Sequence, residues 1–413
     1  MAYGLATGLA APLARPLLEA RARRGKEDRN RLGERLGRPS ALRPPGALAW
    51  LHGASVGESL SLLPLIDGMA ARRPDLAFLV TSGTRASAEV LAKRLPKGAI
   101  HQFAPVDAPG AVARFLGHWR PQAGLFVESE LWPNLILKAR ADGVRLALVS
   151  ARMTAKSAQA WAWRAGAARA LLSSFELILA QDDEVQRRLE GLGAQVNGQL
   201  NLKRVGAPLG ADARELAALQ GAVAGRPTIV ALSTHPGEEA LIEAAVRALG
   251  GRALAIVIPR HPDRAAEIAA ALAGRRIARR SAGETITDET DVYLADTLGE
   301  VGLFLRPADV VVMGGGFAPG VGGHNPLEPA RLGKPVITGP GVANFKDIYA
   351  EMIASGAAQA ADGQTDLTAA LKALLDDPAQ RAKAGAAALA YVAAQSDQLT
   401  KALDLIEDLL PVA

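Results

Sequence analysis

The sequence predicts an α/β protein of two doubly wound domains, each a parallel sheet with helices on both faces. Three observations predict it: short runs apolar throughout recur along the chain, helical patterns separate them, and the whole plan occurs twice. A strand covered on both faces reads as a continuous apolar run, and parallel strands need a crossover between them. At 413 residues the chain is long for one core and suits two domains of about 200 residues each.

Taken in order, residues 1–43 form a basic N-terminal segment. Its opening, "MAYGLATGLAAPLARPLL", sets Leu5, Leu9, Leu13 and Leu17 four apart beside arginines. Pro12, Arg15, Pro16 and Glu19 interrupt the run, so it is not expected to span a bilayer, and its charge follows the apolar stretch, opposite to a signal peptide. An interfacial anchor on anionic lipid and a helix packed on its own domain with a solvated arginine face both fit.

The first domain is placed at 44–208. Its strands are expected at "ALAWLHG" (47–53), "LAFLVTS" (76–82), "AGLFVES" (123–129), "RLALVSA" (145–151) and "FELILAQ" (175–181). Directly after the first run, Ser55-Val56-Gly57-Glu58 fits the S-x-x-E capping box, in which Ser and Glu satisfy each other's orphan amides. The local pattern leaves open whether Glu58 caps a helix or takes a proton. "QLNLKRVGAPLGADARE" (199–215) is polar with Gly and Pro, so the boundary is set near 205–212.

The second domain, 209–390, repeats the plan with "TIVALST" (228–234), "ALAIVIPR" (253–260), "DVYLADT" (291–297), "ADVVVMGGG" (308–316) and "KPVITGP" (334–340). Residues 391–413 are read as a C-terminal helix that packs back on the first domain. Two doubly wound domains facing one another form a crevice at the carboxyl ends of their strands, where ligands bind in such folds. Glu58, Glu128 with Glu130, Arg260 with His261, Glu300, and the stretch from Gly314 to Glu328 all follow strands in this way.

Composition and absent motifs narrow the chemistry. Hydrophobic residues make up 49% and charged residues 22%, an ordinary globular balance. The chain has no cysteine, which excludes a disulfide framework, thiolate zinc and a cysteine nucleophile. GxGxxG after a first strand, GxxxxGK[ST], GxSxG and HExxH are missing, and the six histidines show no close metal-ligand spacing, so no metal site is expected. The net charge of +5 is uneven: residues 1–43 hold ten Lys or Arg against four acids, and the remainder sums to −1. Such asymmetry points to an anionic partner for the N-terminal segment. Elsewhere the near-neutral chain lacks the basic face of a nucleic-acid binder.

The second half carries a nucleotide-site pattern. In "GGGFAPGVGGHNPLEPARLGKPVITGP" (314–340), glycines let backbone approach a ligand and the following helix offers amides to a phosphate. Asn325 is the expected cap, Pro326 a first-turn residue, and Glu328 a carboxylate suited to a ribose hydroxyl. Arg260 in "PRHP" matches a phosphate with its two-pronged donor set. "DTLGE" (296–300) repeats the turn glycine and acid. Trp161 and Trp163 of "WAWRAG" suit either packing or contact with acyl chains.

"HGASVGE", "VESELWPN", "LNLK", "STHPGEE", "PRHP", "DTLGE", "GGHNPLEPA" and "NFKDI" together resemble, in this order, the 3-deoxy-D-manno-octulosonic acid (Kdo) transferases of lipopolysaccharide synthesis, from about residue 25 to about 350. The resemblance implies a GT-B fold and transfer of Kdo from CMP-Kdo to the lipid A precursor, by inversion and without a metal or other cofactor, at the cytoplasmic face of the inner membrane. It implies Glu58 as general base, Glu128 and Lys203 as stabilisers of the transition state, and CMP contacts from Pro259, Arg260, Leu298, Gly299, Glu300, Asn325, Pro326, Leu327 and Glu328. The expected partners are therefore CMP-Kdo, the lipid A precursor and the membrane surface, with no nucleic acid. The oligomeric state is left open, as is the number of Kdo residues transferred. A sugar-nucleotide epimerase on the same fold, and a non-catalytic binding module, are the alternatives.

Overall fold

The structure, a computed structural model, describes residues 2–251 and 253–411. The chain divides into two compact units, one running to Gly206 and taking up the chain again from Ser396, the other Ala207–Gln395. Each is built on a seven-stranded sheet in which every pairing is parallel.

The first sheet comprises β1 (Leu48–His52), β2 (Ala77–Ser82), β3 (Ile100–Phe103), β4 (Ala123–Val127), β5 (Arg145–Ala151), β6 (Leu177–Ala180) and β7 (Gly198–Gln199), in the order β3-β2-β1-β4-β5-β6-β7. The second comprises β8 (Thr228–Thr234), β9 (Leu254–Pro259), β10 (Ile277–Arg279), β11 (Val292–Leu294), β12 (Val310–Met313), β13 (Val336–Thr338) and β14 (Ala358–Ala360), in the order β10-β11-β9-β8-β12-β13-β14. Strand order reverses direction between β1 and β4 and between β8 and β12. Those are the switch points at which doubly wound sheets open a ligand crevice at their carboxyl ends.

All ten apolar runs read from the sequence are strands. The four strands not foreseen, β3, β7, β10 and β14, are the sheet edges.

Burial explains the unbroken apolar runs. Within β1, Leu48 and Trp50 enter the core on one face while Ala49 and Leu51 enter the core on the other. The same division separates Val311 and Met313 from Val310 and Val312 in β12. Trp50 is fully buried, donates from Nε1 to Thr81 Oγ1 at 2.8 Å, and meets Phe126 edge-on with centroids 4.9 Å apart. Gly124 of β4 makes room for it, since a Cβ there would stand 2.9 Å from Leu146 Cδ2 and 3.1 Å from Trp50 Cε3.

The N-terminal segment is two structures. Helix Ala2–Arg23 includes Pro12 and Pro16 without ending at either, and buries Leu18 and Ala22. Leu5, Leu9, Leu13 and Leu17 all stay exposed. Near its start Thr7 Oγ1 accepts from Asn134 Nδ2 at 2.8 Å, which ties the helix to the "ELWPN" stretch.

The following residues form a clasp. Arg21 and Arg35 reach the buried Glu27 at 2.9 and 3.4 Å. Arg31 pairs with the buried Glu34 at 2.8 Å, which also accepts from Phe103 N at 2.7 Å. Arg43 donates to the Trp119 carbonyl at 2.7 Å. Four of the ten cations that made this segment look like a binding tail are therefore spent inside the unit. Arg23, Arg24, Lys26, Arg29 and Arg38 face solvent.

The last helix, Pro378–Glu407, starts in the second unit and finishes in the first. There Arg72 binds Asp404 at 2.7 Å, and a Leu403 methyl fills the space above Gly68.

Candidate active site

The carboxyl end of the first sheet gathers three of the foreseen residues. Glu58 stands in the first turn of helix Val56–Ser61, and the capping box is complete: Ser55 Oγ accepts from Glu58 N at 3.3 Å and Glu58 Oε2 accepts from Ser55 N at 3.5 Å, as it does from Ala54 N at 2.8 Å. Ser55 Oγ also donates to Glu58 Oε1 at 3.0 Å. The side chain is half-buried, so its orientation is fixed while a face of the carboxylate stays open to solvent.

Glu128 and Lys203 are brought together although 75 residues separate them, with Nζ 2.8 Å from Oε1. Glu128 follows β4 with φ +55, a left-handed conformation that costs a non-glycine residue about 1 kcal/mol or more. Its amide and carbonyl are held by Val149 O at 3.3 Å and Arg152 N at 3.1 Å. Lys203 sits in the single turn Leu202–Arg204. That turn hangs from Ser150 at a bulge in β5, whose Oγ accepts from Leu202 N at 3.2 Å.

Behind this pair, Glu130 accepts from Trp132 Nε1 at 2.6 Å and lies 3.4 Å from the buried His52 Nε2, without hydrogen-bond geometry. Burial raises the Glu130 carboxyl, but His52 and Trp132 outweigh it and hold the group below its ordinary range. Trp163 is 91% exposed, whereas Trp161 packs against the core.

At the carboxyl end of the second sheet, Pro259 ends β9 and Arg260 follows, exposed, its amide bonded to Thr234 O at 3.1 Å. Leu298 is 84% exposed and Gly299 turns the chain at φ +86. Glu300 precedes a short helix, Val301–Leu305, and is paired. Arg280 reaches both its oxygens at 2.5 and 3.1 Å and depresses its pKa, and Thr297 also donates to it. The helix expected to open at Pro326 begins one residue later, at Leu327; Pro326 occupies the cap position, and Asn325 Oδ1 accepts from Leu327 N at 3.1 Å. Burial pushes the Glu328 carboxyl above its ordinary range against the pull of Arg331 and Arg260.

The glycine loop, where backbone is expected to approach a ligand, has three amides already engaged: the buried Glu238 accepts from Gly315 N at 2.7 Å, Phe317 N at 2.9 Å and Ala318 N at 3.0 Å, together with His235 N at 2.9 Å. An internal carboxylate thus fills that anion nest. Two of the glycines also serve close backbone packing, for a Cβ on Gly314 would lie 2.3 Å from Ser233 O and one on Gly339 2.3 Å from Gly316.

Beside Arg260 stands a group of which the sequence singles out only His261. His235, His261 and His324 converge from the ends of β8, β9 and β12: His235 Nε2 lies 2.7 Å from His324 Nε2, and the His235 and His261 ring centroids are 6.2 Å apart. Each sits in a motif already singled out, next to or near an assigned residue, and a metal-spacing test could not find them. Among the described residues no group of three His, Cys, Asp or Glu has the geometry of a metal site.

Two doubly wound units, a capped carboxylate after the first strand of one and a histidine cluster beside Arg260 in the other fit a glycosyl-transfer or sugar-nucleotide enzyme. The fold alone does not choose between these. A glycosyltransferase from Rickettsia africae and a putative UDP-N-acetylglucosamine 2-epimerase from Listeria monocytogenes both superpose with a TM-score of 0.58, at 11% and 14% identity over 89% and 87% of this chain and 99% and 97% of theirs. Sequence does choose. The profile of the 3-deoxy-D-manno-octulosonic-acid transferases matches residues 30–204, and the 3-deoxy-D-manno-octulosonic acid transferase of Bordetella pertussis is 42% identical over 91% of either chain. The chain belongs to the Kdo transferase family and is a glycosyltransferase.

Proposed function

We propose that the protein transfers Kdo from CMP-Kdo to the lipid A precursor, lipid IVA, releasing CMP, in lipopolysaccharide core biosynthesis. The acceptor hydroxyl loses its proton to Glu58 as its oxygen bonds to the anomeric carbon, while the bond from that carbon to the CMP phosphate oxygen breaks. Attack opposite the leaving group inverts the centre. Glu128, held by Lys203, faces the positive charge that develops on the sugar; Arg260 meets the departing phosphate, so that protein groups do the work of a metal ion.

The observation that carries this reading is the pose of Glu58. Its capping bonds orient the carboxylate and leave it half-exposed, and a carboxylate ordinarily ionised at neutral pH is a competent base once the hydroxyl proton loosens.

The exposed leucine row of helix Ala2–Arg23, with Arg23, Arg24 and Lys26 beside it, supports peripheral attachment to the anionic cytoplasmic face of the inner membrane. No described helix is long and apolar enough to cross a bilayer.

The test is a mass measurement of lipid IVA incubated with protein and CMP-Kdo in EDTA, beside Glu58→Gln. Gln keeps the capping box, so the variant is expected to melt with the parent while turnover falls by roughly 10²-fold or more. Product formed at the parental rate would make Glu58 a cap and no more; a lipid of unchanged mass with the parent protein would remove the reading.

A further inference from the structure

The His235–His324 pair has a geometry that restricts its protonation. Two Nε2 atoms at 2.7 Å can share one hydrogen but not hold two. In the neutral pair one ring donates from Nε2 and the other accepts, so the rings are opposite tautomers and only one Nδ1 carries a hydrogen. One added proton converts the pair to a monocation that keeps the shared hydrogen bond and has N–H on both Nδ1 atoms. A second would set two N–H groups head to head.

The surroundings fix the pair in place. Tyr349 Oη donates to the His324 carbonyl at 2.9 Å, and Gly315 is bare where a Cβ would lie 3.0 Å from the His324 ring. The rings are nearly parallel, 9° apart, and both residues are only half-buried. In the free protein the neighbours oppose a proton. Burial, His235, Arg260 and His261 bring His324 down to about 4, and burial with His261 and Arg264 lowers His235 against the opposite pull of Glu238 and Glu239. Glu239 is already committed to Thr234 and Arg264, at 2.9 Å each, and Glu238 to the loop amides. The cluster therefore has positive charge, a vacancy for one more, and no free acid of its own to supply the counter-charge, except for Glu328 beside Arg260.

Resting on the donor reading above, we propose that His235 and His324 form a proton-sharing receptor for the phosphate of the donor nucleotide, binding it as a monocation and taking up at most one proton per phosphate bound. A phosphate beside Arg260, a monoanion in the donor diester and a dianion in released CMP, opposes the field that keeps the pair neutral, and both Nδ1–H groups of the monocation are charge-assisted donors. The receptor thus gains its positive charge only when the anion is present.

Calorimetry with the full chain at pH 7.5, in buffers of different ionisation enthalpy, tests this with CMP, UMP and cytidine. At that pH the nucleotide phosphate is already a dianion, so any proton taken up goes to the protein. CMP is expected to bring in up to one proton and cytidine none. In His324→Gln the uptake disappears and CMP binds about tenfold more weakly or worse, while cytidine is unaffected. Imidazole nitrogen resonances of the parent protein give a second readout, with the second Nδ1 signal joining the first in the protonated range on adding CMP. CMP binding without uptake, or with uptake unchanged in His324→Gln, overturns the receptor and leaves the donor reading intact. UMP binding as tightly as CMP with the same uptake keeps the receptor and removes the cytidylate donor. No binding of either nucleotide removes both.

Discussion

Glu58 and Glu238 make the same local move with opposite results. Each opens the helix after the first strand of its sheet, each follows a glycine, and each accepts an amide hydrogen from just upstream, Ala54 N for one and His235 N for the other. Glu238 is then buried to 2% and saturated by three loop amides, whereas Glu58 gains only Ser55 and stays half-exposed. A saturated buried carboxylate is a strut; a pinned open one is available for chemistry. "SVGE" and "HPGE" look alike on the page because what separates them, the approach of a loop some 80 residues downstream, is not local. The roles of Glu128 and Lys203 come from resemblance alone, and nothing local in the sequence announces their contact. Its removal should be felt twice. Lys203→Met leaves a carboxylate of 8% exposure with Arg152 3.9 Å away as its remaining cation, so a urea titration should show a loss of about 1–3 kcal/mol and turnover should fall by roughly 10². Glu128→Gln added to it should restore most of the stability and none of the activity; restored turnover would deny the pair its role.

At the scale of elements, legibility followed burial. The strands in the middle of each sheet are apolar on both faces and announced themselves. The edge strands are short and mixed: "IHQF" places His101 and Gln102 in β3, "IAR" ends β10 on a charge, and β7 is the dipeptide Gly198–Gln199. An edge lacks a neighbour on one side and needs no continuous apolar run, so it leaves little pattern. The N-terminal helix reads the other way, its stripe plain in the sequence and left exposed by the fold. Replacing Leu5, Leu9, Leu13 and Leu17 with Gln should weaken binding to phosphatidylglycerol vesicles, read by sedimentation, by about 1,000-fold, since each leucine contributes on the order of 1 kcal/mol of apolar burial. Added salt should weaken the parent as it screens Arg23, Arg24 and Lys26. Equal binding by the variant would assign the stripe to something other than lipid.

For the whole molecule, two histidines set how acid acts on the fold. Burial and Arg31 bring His101 down to about 4, with Arg31 donating to its Nδ1 at 3.2 Å, and His324 is lowered to about 4 as well. Unfolded histidine titrates near 6.5. Between those values the unfolded chain binds protons that the native state refuses, so stability falls as pH drops from about 6.5 toward 4, by up to about 1.4 kcal/mol per pH unit for His101 and by less for the half-exposed His324, whose surroundings solvent screens. Below that range both states are protonated and the loss levels off, while Asp107 and Glu328, whose carboxyls burial raises, act in the opposite sense. Urea midpoints from pH 8 to 5 should decline, and His101→Gln should flatten the slope; midpoints independent of pH would show that the imidazoles titrate normally.

The clasp that follows the first helix decides where the chain can be shortened. Ending a deletion at Arg24 removes the leucine stripe and leaves every bond of Glu27 but the one from Arg21. Carrying it to Arg43 strips the acid that caps the Phe103 amide and the guanidinium on the Trp119 carbonyl, opening the β3 side of the first sheet. A trimmed protein meant to stay dispersed without detergent should therefore begin near residue 25. One begun at 44 would trade a greasy surface for a frayed sheet edge, and would precipitate for a different reason.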